Sequence, residues 1–102
     1  MPDTPEVEVR PMLEGVGERT LLCGHVHLQY RRDAAGHLIV NPGSVGLPFD
    51  GDPRAAWAMT ADGEVELRRT AYDVEAVARR VEQADAPFAA DVARRLRTAR
   101  RD

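Results

Sequence analysis

Gly24-His25-Val26-His27 is the stretch of this chain best suited to chemistry. In an extended backbone, side chains two apart point to one side, so His25 and His27 would share a face. Their imidazoles could then reach one metal ion or two neighbouring ones. Neutral imidazole is a good ligand for Zn, Mn, Fe and Ni. Gly24 would let the backbone come close to a crowded site. A bare His-x-His pattern is more often a pair of hydrogen-bonded histidines than a metal site, so the surrounding sequence has to decide.

The second informative stretch is Asn41-Pro42-Gly43-Ser44-Val45-Gly46. Asn-Pro-Gly-Ser is turn chemistry, in which Asn and Ser side chains bond nearby backbone. Asn41, Gly43 and Ser44 are therefore read as loop support for the histidines, in preference to direct substrate contacts. Such a loop can fix an imidazole's tautomer by accepting its other N–H. His37 reads as an exposed hairpin residue. Cys23, at the end of an apolar run, reads as a buried small hydrophobe. Arg31 and Arg32 either meet a phosphate or sit on an outer strand face. The cluster of Arg94, Arg95, Arg97, Arg100 and Arg101 reads as a solvated helix face with cations at the favourable end of the dipole.

The elements that must position these residues follow from periodicity. Thr4-Pro5 with Glu6 and Glu8 predicts a helix start, shortened by Pro11 and over by Gly15-Val16-Gly17. Thr20-Leu21-Leu22-Cys23 is an apolar run that predicts a strand covered on both faces. Strands over Leu28–Arg32 and His37–Asn41 flank Asp33-Ala34-Ala35-Gly36, a hairpin signal. Strands over Ala55–Thr60 and Glu64–Tyr72 flank Ala61-Asp62-Gly63, another. Asp73 caps a helix with Val74, Val77 and Val81 on one face, and Pro87 opens a second with Phe88, Val92 and Leu96. The order implies an α/β (α+β) arrangement: a helix, mostly antiparallel strands, and two C-terminal helices. Residues 1–72 carry the sheet and the His motif, 73–102 the helical tail, in a single partial domain spanning 1–102.

Composition narrows the class. The chain has 102 residues, a formal net charge of −3, one Cys and no Lys. Acidic balance argues against nucleic acid as a partner. No apolar run reaches the ~20 residues of a membrane helix. The N-terminus has no apolar segment of a signal peptide. The expectation is a cytoplasmic chain that touches neither nucleic acid nor membrane.

Gly-His-Val-His, a hairpin, then Asn-Pro-Gly-Ser-Val-Gly resembles the C-terminal signature of the calcineurin-like metallophosphoesterases, and is most similar to their compact bacterial and archaeal phosphodiesterase branch. The family usually has Thr where Val26 stands. The resemblance is most specific from Leu22 to Pro48. It implies the C-terminal half of a four-layer α/β/β/α sandwich with a dinuclear site of divalent ions (Mn, Zn, Fe or Ni) ~4 Å apart. Carried over, His25 would bind the second metal and His27 the first. A metal-bound hydroxide would then hydrolyse a phosphate ester. The family builds its site from five stretches, and the Asp-x-His, Gly-Asp, Gly-Asn-His-Asp and lone His ones are absent here. Gly51-Asp52 lies after the His motif, inside a turn.

Two function classes follow. One is a C-terminal fragment of a metal-dependent phosphoesterase, inactive alone, with His25 and His27 its only metal ligands. The other is a non-catalytic half-sandwich that pairs with a missing N-terminal half, a partner chain or itself. Two imidazoles without carboxylates cannot balance two divalent ions, so weak metal binding or none is expected of the chain alone.

Overall fold

The structure is a computed structural model that describes Met1–Asp102. Its elements run α1 (Glu6–Met12), β1 (Thr20–Leu22), β2 (Gln29–Ala34), β3 (His37–Pro42), β4 (Ala55–Ala61), β5 (Glu64–Thr70), α2 (Val74–Gln83) and α3 (Ala89–Thr98). The first three strands form one sheet in the order β1-β3-β2, with β1 parallel to β3 and β2 antiparallel to it. β4 and β5 form a separate antiparallel pair. The result is a mixed α/β fold with mostly antiparallel strands and three helices, as the sequence implies.

Local chemistry explains most boundaries. The two hairpins turn at Ala35-Gly36 and Asp62-Gly63, all four residues at positive φ. That is the geometry of two-residue turns whose twist matches the strands. Asp73 caps α2 by accepting from the Ala76 N–H at 3.0 Å. Helix α1 contains Pro11 and stops one residue later.

Polar side chains link the two sheets. The Gln29 amide on β2 donates to the carbonyls of Trp57 on β4 (3.2 Å) and Arg68 on β5 (2.9 Å). Arg31 donates to the carbonyl of Val65 at 3.2 Å. Between the strands and the tail, the buried cluster is small: Ala78, Ala93 and Leu96, with Leu47, Val74, Val81 and Val92 packed on it.

Several sequence expectations are corrected. The apolar run at Thr20–Cys23 is not covered on both faces. Leu22 is 58% exposed and Cys23 is exposed, and β1 is an edge strand paired only with β3. Phe88 does not join the apolar stripe of α3, since the helix starts after it and leaves the ring 64% exposed. Val77 is exposed too, and Ala78 takes the centre of the α2 face. His37 is half-buried, with Nδ1–H donating to the Glu18 carbonyl at 2.6 Å.

Candidate functional site

The His motif leaves β1 at Cys23 and rejoins the sheet at Gln29. Its backbone is not extended. His25 has φ 78° and His27 has φ 60°, both left-handed, while Gly24 is not. The same-face argument for an extended His-x-His therefore does not apply. The left-handed conformation costs a residue with a Cβ about 1–2 kcal/mol, and such outliers persist only where their surroundings hold them.

What holds them is a chain of contacts through the Asn41–Phe49 segment. Asn41 is fully buried. Its amide donates to the Gly24 carbonyl at 3.2 Å, and its Oδ1 accepts from the Gly43 N–H at 2.9 Å. Gly43 sits at φ 87°, and a Cβ there would lie 2.9 Å from the Ala56 Cβ and 3.0 Å from the Gln29 Cβ. The bare backbone lets the loop pass between β2 and β4. The Ser44 carbonyl accepts from the Ala56 N–H at 3.0 Å, and its hydroxyl accepts from the Leu47 N–H at 2.9 Å. Leu47 packs its side chain on the helical cluster and turns its carbonyl to His27 Nδ1 at 2.9 Å.

That last bond fixes a tautomer. A carbonyl can only accept, so Nδ1 of His27 carries a hydrogen, and in the neutral ring Nε2 has the lone pair. This is the arrangement in which a histidine is held ready to ligate a metal through Nε2.

Phe49 closes the other side. Its ring stacks on His27 with centroids 4.8 Å apart and planes 15° from parallel, and its N–H donates to the His27 carbonyl at 3.0 Å. Phe49 also lines a cleft of about 270 Å³ with Met1, His25, Val26 and Arg101. His25 faces that cleft, is exposed, and its ring makes no hydrogen bond within the chain. Sequence reasoning singled out Gly24, His25, His27, Asn41, Gly43 and Ser44 but missed Leu47 and Phe49. Only their position just after the Asn-Pro-Gly-Ser loop could have pointed to them.

Behind Phe49, Asp50 pairs with Arg69, whose side chains are 24% and 14% accessible. Arg69 also donates to Gln29 Oε1 (2.8 Å) and the Asp52 carbonyl (3.2 Å). Desolvation works to raise the Asp50 pKa, but the Arg69 guanidinium prevails and holds it below the ordinary carboxylate range. Arg54 pulls Asp52 down to about 2. On the other flank, the exposed Cys23 Sγ lies 3.7 Å from the Tyr30 hydroxyl, and partial burial with that contact pushes the Tyr30 pKa up.

Neither Arg31 nor Arg32 is free to meet a phosphate. Arg31 is bound to β5, and Arg32 donates to the carbonyls of Pro2 (3.1 Å) and Thr4 (2.7 Å). No group of three or more His, Cys, Asp or Glu side chains comes together to hold a metal ion. Of the two histidines, His25 lines the cleft, while His27 lies against Phe49 and the Leu47 carbonyl. No helix is long and apolar enough to cross a membrane.

The chain is similar in fold to the crystal structure of hypothetical protein PH1004 from Pyrococcus horikoshii OT3, with TM-score 0.76 and 21% identity over 94% of this chain and 38% of that one. It is similar also to a metallophosphoesterase from Sphaerobacter thermophilus, with TM-score 0.74 and 22% identity over 92% of this chain and 47% of that one. The chain thus spans less than half the length of both. No curated protein matches it. The profile of the calcineurin-like phosphoesterase superfamily domain matches residues 4–64, which include both histidines and the Asn-Pro-Gly-Ser loop. On that match, which covers more than half of its residues, the chain belongs to the calcineurin-like phosphoesterase superfamily.

Proposed function

We propose that this chain supplies the histidine-bearing part of a dinuclear, metal-dependent phosphoesterase site, and that carboxylates from other polypeptide complete it. The observation that carries the reading is the bond from His27 Nδ1–H to the Leu47 carbonyl, which leaves Nε2 free. His27 would hold one ion and His25, unbonded at the mouth of the cleft, the other. Gly24, Asn41, Gly43 and Ser44 support them through the loop. Divalent ions such as Mn, Zn, Fe or Ni would supply Lewis acidity and an activated water for hydrolysis of a phosphate mono- or diester. The residues of this chain orient imidazoles, shape the cleft and bind the ester. A single unpaired Cys suits a reducing, cytoplasmic setting.

Metal content after dialysis against Mn²⁺ or Zn²⁺ tests this. The chain alone should retain well under one ion, lose it in the His25→Ala/His27→Ala variant, and not turn over aryl phosphates. Two ions per chain would overturn the view that ligands come from elsewhere. Equal retention by the double variant would overturn the histidine assignment.

A second reading, a half-sandwich that associates with other polypeptide or itself, is favoured by shape. The radius of gyration is 16.2 Å, against about 13 Å for a compact domain of this length. The accessible surface is 6806 Å², against roughly 5,700 Å² for a compact monomer of this mass. The excess is of the order of one partner's share of a standard interface, about 800 Å². Sedimentation velocity at micromolar concentration should show a dimer or larger species. A monomer with sharp thermal unfolding and no binding of a hydrophobic dye would count against association.

A further inference from the structure

We infer that Arg101 is an anion-binding residue of the cleft beside His25, and that Phe49 and Val26 form an apolar wall for the organic group of an aryl-type phosphate ester. The inference deepens the phosphoesterase reading and rests on it.

Nearly every guanidinium in the chain is already engaged. Arg10, Arg54, Arg68, Arg69, Arg79, Arg94 and Arg97 pair with carboxylates. Arg19, Arg31 and Arg32 bond to backbone carbonyls. The guanidinium groups of Arg80, Arg95, Arg100 and Arg101 have no such partner, and of these Arg101 lines the cleft with His25.

Arg101 reaches that position by a specific device. Ala99, at the end of α3, is fully buried and left-handed at φ 53°. Its carbonyl accepts from the Gly51 N–H at 3.0 Å. Arg100 lies over Gly51, where a Cβ would come within 3.2 Å of the Arg100 Nη2. The end of α3 is thereby pinned to the turn that follows Phe49, and the next residue, Arg101, is delivered to the cleft. On the opposite side, Arg32 holds the carbonyls of Pro2 and Thr4 and so places Met1 on the cleft's rim.

The lining sets the ligand chemistry. A guanidinium offers a planar fork matched to two phosphate oxygens. Val26 and Phe49 offer apolar surface and one aromatic face, and no Asp or Glu lines the cleft to repel an anion. A phosphate carrying an aryl group therefore fits better than inorganic phosphate.

The test uses the full chain in metal-free buffer with EDTA at fixed ionic strength, with binding followed by calorimetry and by His25 ring resonances. Wild type should bind phenyl phosphate more tightly than inorganic phosphate, by about fivefold. Arg101→Ala should weaken both by about tenfold. Arg101→Lys should fall between, and Phe49→Leu should erase only the preference for the aryl ester. Arg80→Ala, on α2 and outside the cleft, should bind as wild type does. Absent saturable binding by wild type, unchanged binding by Arg101→Ala, or equal loss in Arg80→Ala would overturn the inference. Because no metal is present, the outcome is independent of the metal-retention test on His25 and His27, and either can fail alone.

Discussion

The ring of Phe49 lies over the imidazole of His27, 4.8 Å between centroids and 15° between planes. An offset aromatic contact of this kind adds about 0.5–1.5 kcal/mol beyond its buried area. Phe49→Ala should therefore destabilise the chain by about 2 kcal/mol, and Phe49→Tyr by less than about 0.5 kcal/mol. Urea unfolding measures both. The His27 ring protons should also shift in the Ala variant, and unchanged resonances would mean that the stack does not orient the imidazole.

Gly43→Ala should be worse than Gly36→Ala. Both glycines are left-handed, so each substitution carries about 1–2 kcal/mol of backbone strain. Only at Gly43 would the new methyl also strike the Ala56 and Gln29 Cβ atoms, while nothing lies within 4 Å at Gly36. Overpacking adds a further ~1–3 kcal/mol. Equal losses in thermal unfolding would show that the loop gives way and that the tight passage between β2 and β4 is not required.

Arg69 bridges Asp50, the Asp52 carbonyl and Gln29, and so ties the turn after Phe49 to β5 and β2. Arg69→Ala should cost about 2–3 kcal/mol, since hydrogen bonds to charged groups are worth about 1.5–3 kcal/mol. Arg69→Lys should recover less than half, because an ammonium cannot hold the three partners in one plane. A double-mutant cycle with Asp50→Asn would measure how much of the loss belongs to that pair.

Acid should loosen the fold in a defined window. Arg54 lowers the Asp52 pKa from 3.8 to about 2, and Asp50 and Glu75 are lowered by Arg69 and Arg97. A carboxylate whose folded value lies below its unfolded value contributes stability in full above the unfolded value. That contribution is lost as pH falls through the folded value. The thermal midpoint should thus drop from about pH 4 toward pH 2, and Asp52→Asn should make the drop shallower. Salt should weaken Asp52's share, since the pair is exposed. A midpoint that rises on acidification would contradict the assignment of all three pairs.

Much of the fold was legible because the signals were local. Asp62-Gly63 and Ala35-Gly36 fix their own hairpins, and Asp73 caps its own helix. Superfamily membership was legible from the spacing of Gly24–His27 and Asn41–Gly46. The rest depended on contacts distant in sequence. Nothing in Thr20–Cys23 says that Leu22 and Cys23 are left uncovered, so the apolar run reads as buried. Leu47 and Phe49 reach His27 from twenty or so residues away. Arg101 looked like one more cation on a solvated helix end, because the pinning of Ala99 to Gly51 depends on how α3 returns to the loop.

The left-handed backbone at His25 and His27 bears on how this chain can change over generations. At those φ values glycine or asparagine would relax the backbone, so the fold on its own is better served by other residues there. His25→Gly should thus raise stability on its own, a gain that only a role for the ring would oppose. Histidine at both positions marks a loop shaped against its own folding preference.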